Sequence, residues 1–154
     1  MLLILHTDPE TGSAAITTPC APREDGESDL AYLGRIVSRM KEAGSMPKDA
    51  AWSTVHPDNV PADRSFRNAW EVGTEAQHIV TNIPKAQEIT RNRLRRERAP
   101  LLAELDAQYL KALESKDEAR QAAVVAEKQR LRDLPATVDG VTDLESLKAL
   151  KAAK

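Results

Sequence analysis

One cysteine in 154 residues rules out an internal disulfide, and Cys20, between Pro19 and Ala21, has no companion for a metal site. The thiol is read as incidental and the chain as the product of a reducing compartment. Aromatics are nearly as scarce: Tyr32, Trp52, Phe66, Trp70 and Tyr109 are all there are, 3% of the chain. An aromatic-anchored core therefore belongs to the first half, and the second half must be held by Leu, Val and Ala. Long hydrophobic runs are missing too. The opening MLLILHTD lacks a basic flank and is far short of the roughly 20 apolar residues of a membrane span, so neither signal peptide nor membrane association is expected.

Excess charge of one sign is also lacking. Charged residues make up 30% of the chain, yet the formal net charge is −2, so no global basic character draws it onto a polyanion. The distribution is uneven. Residues 1–80 hold seven Lys/Arg against twelve Asp/Glu, and residues 81–134 hold twelve against nine. An acidic head and a mildly basic helical body could attract one another within the chain or between copies.

What is present reads as an α+β fold: a small N-terminal β-hairpin in a β-rich head, then a long kinked helix and a helical hairpin. LLILHT and SAAITTP flank the turn residues DPETG, a hairpin with a turn longer than the tightest type. CAPREDGES is a loop. SDLAYLGRIVSRMKEAG is an amphipathic helix with Ser28 as N-cap, Gly44 as its stop, and Leu30, Leu33, Ile36, Val37 and Met40 on the apolar face. From Met46 to Val72 prolines prevent any long helix; short strands are expected in AAWSTVHP and AWEVG, with Trp52, Val55, Val60, Phe66 and Trp70 forming a cluster.

VGTEAQHIVTNIP reads as a linker or a loose extension, and Pro84 suits the first turn of a long helix. Pro100 within that helix predicts either a kink or a break with a new helix opening there. Beyond it, Leu102, Leu105, Tyr109 and Ala112 recur at steps of three and four, widened by Leu101 and Leu113. Asp117 can cap EARQAAVVAEKQRLRDL, whose apolar side carries Val124, Leu131 and Leu134, giving an antiparallel pair. Pro135 ends it, PATVDGVT is a linker, and Thr142 or Asp143 caps a last short helix. The resulting division is a head at 1–80, a helical hairpin at 81–135, and a linker with a short C-terminal helix at 136–154.

Catalytic chemistry finds little support. His6, His56 and His78 are far apart and in no ligand spacing, with His56 the best placed for burial. There is no GxGxxG, GxxxxGK[ST] or GxSxG, so neither phosphate cradle nor nucleophile elbow is available, and no cofactor, metal or enzymatic activity is expected. Glu104 and Asp106, two apart on a helix, point to different sides.

The strongest local feature is RNRLRRER. Arg91, Arg95 and Arg98 line one helix face, with Arg93 and Arg96 on a neighbouring strip. Such a patch could neutralise several phosphates, but no aromatic is interleaved for stacking and the head is acidic. A solvated face, or bidentate pairing with carboxylates of a partner subunit, is favoured over nucleic acid. The leucine stripe needs cover from the head, a second copy or another protein, because one helical hairpin buries apolar surface poorly.

Three stretches together, VPADRSFRNAWEV at 60–72, IPKAQEITRNRLRRERAPLLAELDAQYLKALE at 83–114 and AEKQRLRDLP at 126–135, resemble small tail or tail-assembly proteins of proteobacterial phages and prophages. The resemblance runs from about residue 46 to 150, with a weaker echo in the first hairpin. It carries Asp63, Arg64, Phe66, Arg67 and Trp70, and Arg91, Arg95, Pro100, Leu102, Leu105, Asp106 and Tyr109; the chain departs from the group over 20–45. It implies no catalytic role. It implies instead a tail component or assembly chaperone contacting phage tail or tail-fibre proteins, in the virion tail or in the host bacterial cytoplasm during assembly. In that reading Arg91, Arg95, Arg98, Leu102, Leu105 and Tyr109 bind the partner, Trp52, Asp63, Arg64, Phe66, Arg67 and Trp70 are structural anchors, and a homo-oligomer is expected. The alternative is a nucleic-acid-binding accessory protein using Arg91 to Arg98.

Overall fold

Leu3 to His6 is apolar or half-apolar without a break, which suits a strand covered on both faces. In the computed structural model, which describes residues 1–74 and 79–153, this run is β1 (Leu3–Thr7). It lies between β2 (Ala14–Thr17) and β3 (Trp52–Val55) in an antiparallel sheet. The turn joining β1 to β2 is built by Asp8, whose carboxylate accepts from the backbone N–H groups of Glu10 and Thr11 at 2.9 and 3.0 Å. Those two N–H donors hold its pKa below the ordinary carboxylate value.

Register decides which face each side chain takes. His6 lies opposite Ala15 and Trp52, and Leu5 opposite Ile16 and Ser53. Cross-strand partners share a face, so Ile4, His6 and Trp52 look one way and Leu3, Leu5, Ile16 and Val55 the other. The first face packs on α1 (Asp29–Glu42). Ile4, Tyr32, Leu33, Ile36, Val37 and Met46 form the buried cluster there, with Trp52 and Met40 against it. Each such side chain contributes about 1.5–3 kcal/mol of burial. The expected grouping of Trp52 with Val55 and Trp70 is therefore incorrect, because strand alternation sends Trp52 and Val55 to opposite faces.

The ends of α1 follow from its sequence. Ser28 accepts from the N–H of Ala31. At the other end Gly44, at φ +73°, lets the N–H of Ser45 reach back to the Met40 carbonyl at 2.9 Å and its own N–H to that of Lys41, the two bonds of a Schellman ending. Leu30, in the first turn, precedes the buried set and is 67% exposed, against the expectation that it faces the core. The acidic loop before α1 is pinned to it: Tyr32 donates to the Ala21 carbonyl at 2.6 Å, and Arg35 forks onto Glu27 at 2.6 and 2.8 Å. That fork holds the Glu27 carboxyl down to about 2.

The opposite face of the sheet meets the segment leading into β4 (Trp70–Val72), in which Phe66, Ala69 and Trp70 are buried. The stretch expected to be a linker instead supplies β5 (Ile79–Thr81), antiparallel to β4 with Trp70 opposite Thr81; residues 75–78 lie outside the described residues. Three-residue strands carry too little periodicity to be read locally, and their pairing is what creates them.

The chain divides into two compact units, Met1–Asn82 and Ile83–Lys154. The second is built on α2 (Ile83–Glu114), with Pro84 in its first turn. Pro100 does not break α2; the helix runs through it, with the pyrrolidine exposed. The expectation of a new helix opening at Pro100 is thereby set aside: only one N–H is missing, on the face away from the packing. A turn follows in which Lys116 sits at φ +57° and the Asp117 N–H reaches the Ala112 carbonyl. Asp117 then caps α3 (Glu118–Asp133). Cross-links from residue 112 to 121, 106 to 128 and 98 to 131 show α3 running antiparallel to α2.

The segment expected to be a linker is structured: Leu134–Val138 is a 3-10 helix with Pro135 and Val138 buried. Asp143, not Thr142, caps α4 (Leu144–Ala149), accepting from the Ser146 N–H at 2.8 Å. Ala86, Thr90 and Leu94 of α2 are buried with Leu131, Pro135, Val138, Leu147 and Ala152, so the core of this unit is aliphatic apart from Thr90, whose hydroxyl donates to the Ala86 carbonyl at 3.0 Å.

Candidate functional site

Five arginines in one helical stretch must each find an acceptor or water, and here the acceptors are largely the chain's own. Arg91 places Nε and Nη2 on Asp139 at 3.1 and 2.7 Å and Nη1 on Glu88 at 2.8 Å, and these acidic partners, Asp139 first, raise its pKa. Arg93 donates from Nη2 to the carbonyl oxygens of Leu147 and Leu150 at 3.0 and 2.7 Å. Arg98 does the same at α3, reaching the Leu131 and Arg132 carbonyls at 3.2 and 2.7 Å. The last carbonyls of a helix have no partner within it, and they carry the negative end of its dipole. Two arginines of α2 therefore close the C-terminal ends of α4 and α3.

Only the remaining two face water. Arg95 is half-exposed, with Nη1 on the Asn92 amide oxygen at 2.9 Å, and Arg96 is exposed. The residues expected to form one partner-binding face are thus divided: Arg91 and Arg98 are held within the unit, and Arg95 is turned outward. Sequence reading missed the second half of this arrangement, which is non-local. Glu97 accepts from the Ala152 N–H at 3.1 Å, and Arg130, whose pKa is raised by Glu127, donates to the Ala152 carbonyl at 3.0 Å. Ala152 is fully buried as a result. The only local hint was Arg93 and Glu97 standing one helical turn apart.

The leucine seam is covered in part by the same segment. Leu101 and Leu105 border a groove with Leu131 of α3, and Ala152 and Ala153 lie along it. Leu102, Leu105 and Tyr109 are half-buried, and Ala112 is buried. Lys128 pairs with Asp106, and its ammonium stands 5.6 Å from the Tyr109 ring centroid. Toward the hairpin turn the cover runs out: Leu110 is 58% exposed, Leu113 51% and Val125 53%. Leu113 is one turn beyond Tyr109 and Val125 one turn before Lys128, so both approach the tip on the flank marked by the Tyr109–Lys128 contact. Glu104 accepts from Gln108 while Asp106 meets Lys128, so these carboxylates do not converge.

A scan against protein-family models, a search of characterised proteins and a search of solved structures each find no match. Function must therefore be argued from the residues.

The anchors expected in the head behave differently from one another. Phe66 and Trp70 are buried and Trp52 is half-buried. Asp63 shapes a turn, accepting from the N–H and hydroxyl of Ser65 at 2.8 and 2.6 Å. Arg64 and Arg67 are both exposed, neither guanidinium has an acceptor among the described residues, and together they border a cleft whose other walls include Trp70, Val60 and Ile16. The histidine expected to be buried, His56, is exposed and sits at the start of a 3-10 turn. The buried one is His6, carried into the sheet face against α1; His78 lies outside the described residues. Among the described residues no three His, Cys, Asp or Glu side chains are grouped to hold a metal ion, and no helix is long and apolar enough to cross a membrane.

Proposed function

We propose that this protein is a non-enzymatic docking component of a bacteriophage tail, either an adaptor in the distal tail or tail-fibre region or a chaperone that assists its assembly. One observation carries the reading: α2 and α3 present Leu110, Leu113 and Val125 to solvent at one end of a unit whose arginines are mostly engaged internally. Exposed apolar side chains at the end of a braced helical pair suit contact with another protein. The resemblance of the 60–72, 83–114 and 126–135 stretches to phage tail proteins supplies the setting. In that setting the partners are tail or tail-fibre proteins and further copies of the chain, in the virion or in the host cytoplasm during assembly.

The decisive experiment follows the protein through infection with a phage that encodes it. Mass spectrometry of purified particles that finds it in stoichiometric amount supports the adaptor. Its presence on fibre proteins in lysates but not in particles supports the chaperone. Association with neither overturns the proposal.

The second reading, a nucleic-acid accessory protein using Arg91 to Arg98, is weakened by the engagement of Arg91, Arg93 and Arg98. Only Arg95 and Arg96 are left to meet phosphate, and the salt dependence of binding scales with the number of phosphates neutralised. A log–log slope steeper than two contacts allow would favour it.

A further inference from the structure

The edge of the head sheet carries a feature independent of the tail reading. β2 is an outer strand, with β1 on one side and no strand on the other. Among the described residues no backbone hydrogen bond is made by Ala14 to Thr17 other than those of the sheet ladder. Sheet edges left in this state are usually blunted by lysine, proline or a bulge, because a bare row of N–H and C=O groups pairs readily with another chain. The sequence AAIT supplies no charge and no proline, and its four residues are half-buried.

Beside this edge stand Arg64 and Arg67. Ala14, Ala15 and Ile16 share one cleft with both arginines, and Ala14, Ala15 and Arg67 also border the adjoining depression that runs toward the β1–β2 turn. The groove therefore follows the strand. Two of the other three arginines of this head have acidic or carbonyl partners: Arg23 holds Asp29, and Arg35 holds Glu27 and the Pro22 carbonyl. In a unit with twelve acidic side chains against seven basic ones, these two neighbouring guanidiniums have no acceptor among the described residues and stand free to meet a ligand beside the strand edge.

We propose that β2 accepts an extended acidic segment of a partner protein as an added strand, with Arg64 and Arg67 receiving its carboxylates. Backbone pairing along Ala14 to Thr17 supplies affinity without regard to sequence, and the two arginines select for acid. An extended peptide is favoured over a polynucleotide because the groove follows a strand edge, whose N–H and C=O groups pair with another peptide backbone.

The probe is a capped eight-residue peptide of alternating valine and glutamate, compared with the valine–lysine peptide and with two valine–glutamate peptides N-methylated at alternate residues, one at the valines and one at the glutamates. Binding is followed by amide NMR shifts of the whole chain. The expected result is perturbation centred on Ala14 to Thr17, loss of binding for the lysine and for one N-methylated peptide, and at least tenfold weaker binding by the Arg64→Ala/Arg67→Ala double variant. Both side chains are exposed and have no partner among the described residues, so that variant keeps its fold, checked by an unchanged amide spectrum elsewhere. Unchanged affinity in the double variant overturns the proposal. So does undiminished binding of both N-methylated peptides, displacement by inorganic phosphate or an oligonucleotide at similar concentration, or a peptide-free dimer that already protects the β2 amides.

Discussion

Arg98 donates from Nη1 to the carbonyl oxygen of Arg132 at 2.7 Å, so a side chain of α2 closes the end of α3, 34 residues further along the chain. Arg93 treats α4 in the same way. Each guanidinium sits where it satisfies carbonyls and meets the negative end of a helix dipole at once. The second unit is thus held by polar clasps across an aliphatic core that lacks large aromatic rings.

Loss of the Arg93 clasp is expected to loosen the C-terminal segment first. Hydrogen bonds to charged groups are worth about 1.5–3 kcal/mol, and partial exposure of this side chain, 33%, lowers that figure. Arg93→Ala is therefore expected to cost about 1–2 kcal/mol, against less than about 0.5 kcal/mol for Arg95→Ala at the solvent face. Urea denaturation measures the difference, and hydrogen exchange should show amides near Leu147 to Ala152 opening before those of α2. Equal effects of the two substitutions would show that the carbonyl contacts contribute nothing.

Two helix endings of the same design differ in one residue. Gly44 closes α1 and Lys116 closes α2, both in the left-handed region at φ +73° and +57°. A side chain there costs about 1–2 kcal/mol, offset in part by the greater unfolded freedom of glycine. Lys116→Gly is expected to raise stability by about 0.5–1 kcal/mol and Gly44→Ala to lower it by about 1 kcal/mol. Beyond its chain neighbours no atom lies within 4 Å of where a side chain at Gly44 would begin, so the second loss would arise from the backbone and not from a clash. Thermal melts of the two variants check the opposite signs.

Acid should release the loop that precedes α1. Glu27 titrates near 4.5 when unpaired and is held down to about 2 by Arg35 in the folded chain. A depressed carboxylate pKa contributes stability that is complete above the unfolded value and disappears as pH falls through 4.5 toward 2. The stability gap between wild type and Glu27→Gln is accordingly expected to be constant near neutrality and to close on acidification. Denaturation at a series of pH values tests it; a gap that widens toward low pH would contradict the assignment.

These contacts explain what could be read from the sequence. Ser28, Gly44 and Asp117 announce helix ends because capping is decided within four or five residues, and the α1 face and the α2–α3 pair follow from local periodicity. Arg93 and Arg98 gave no such notice: their acceptors lie 33 to 57 residues away, and a backbone carbonyl leaves no mark in sequence. His6 and His56 depart from expectation for a related reason. Burial of His6 comes from its place in the central strand, opposite Trp52, whereas His56 begins a turn. Arg64 and Arg67 were legible as residues but not as an unpaired couple beside β2, since that depends on where the sheet ends.

Two leucines on α2 separate folding from docking. Leu94 is fully buried, and truncation to alanine at such a site removes transfer energy and leaves a cavity, together about 2–5 kcal/mol. Leu113 is 51% exposed, and Leu113→Glu is expected to change stability by less than about 0.5 kcal/mol. If the hairpin tip docks to tail proteins or to further copies, Leu113→Glu should nevertheless abolish co-purification or shift the sedimentation of the complex, because a charge placed in an apolar contact must be desolvated without a partner. Leu94→Ala should weaken docking only in proportion to the fraction unfolded. Were Leu113→Glu to retain full association while folding normally, the tip would be solvent-facing by design and the partner surface would have to lie elsewhere on the chain.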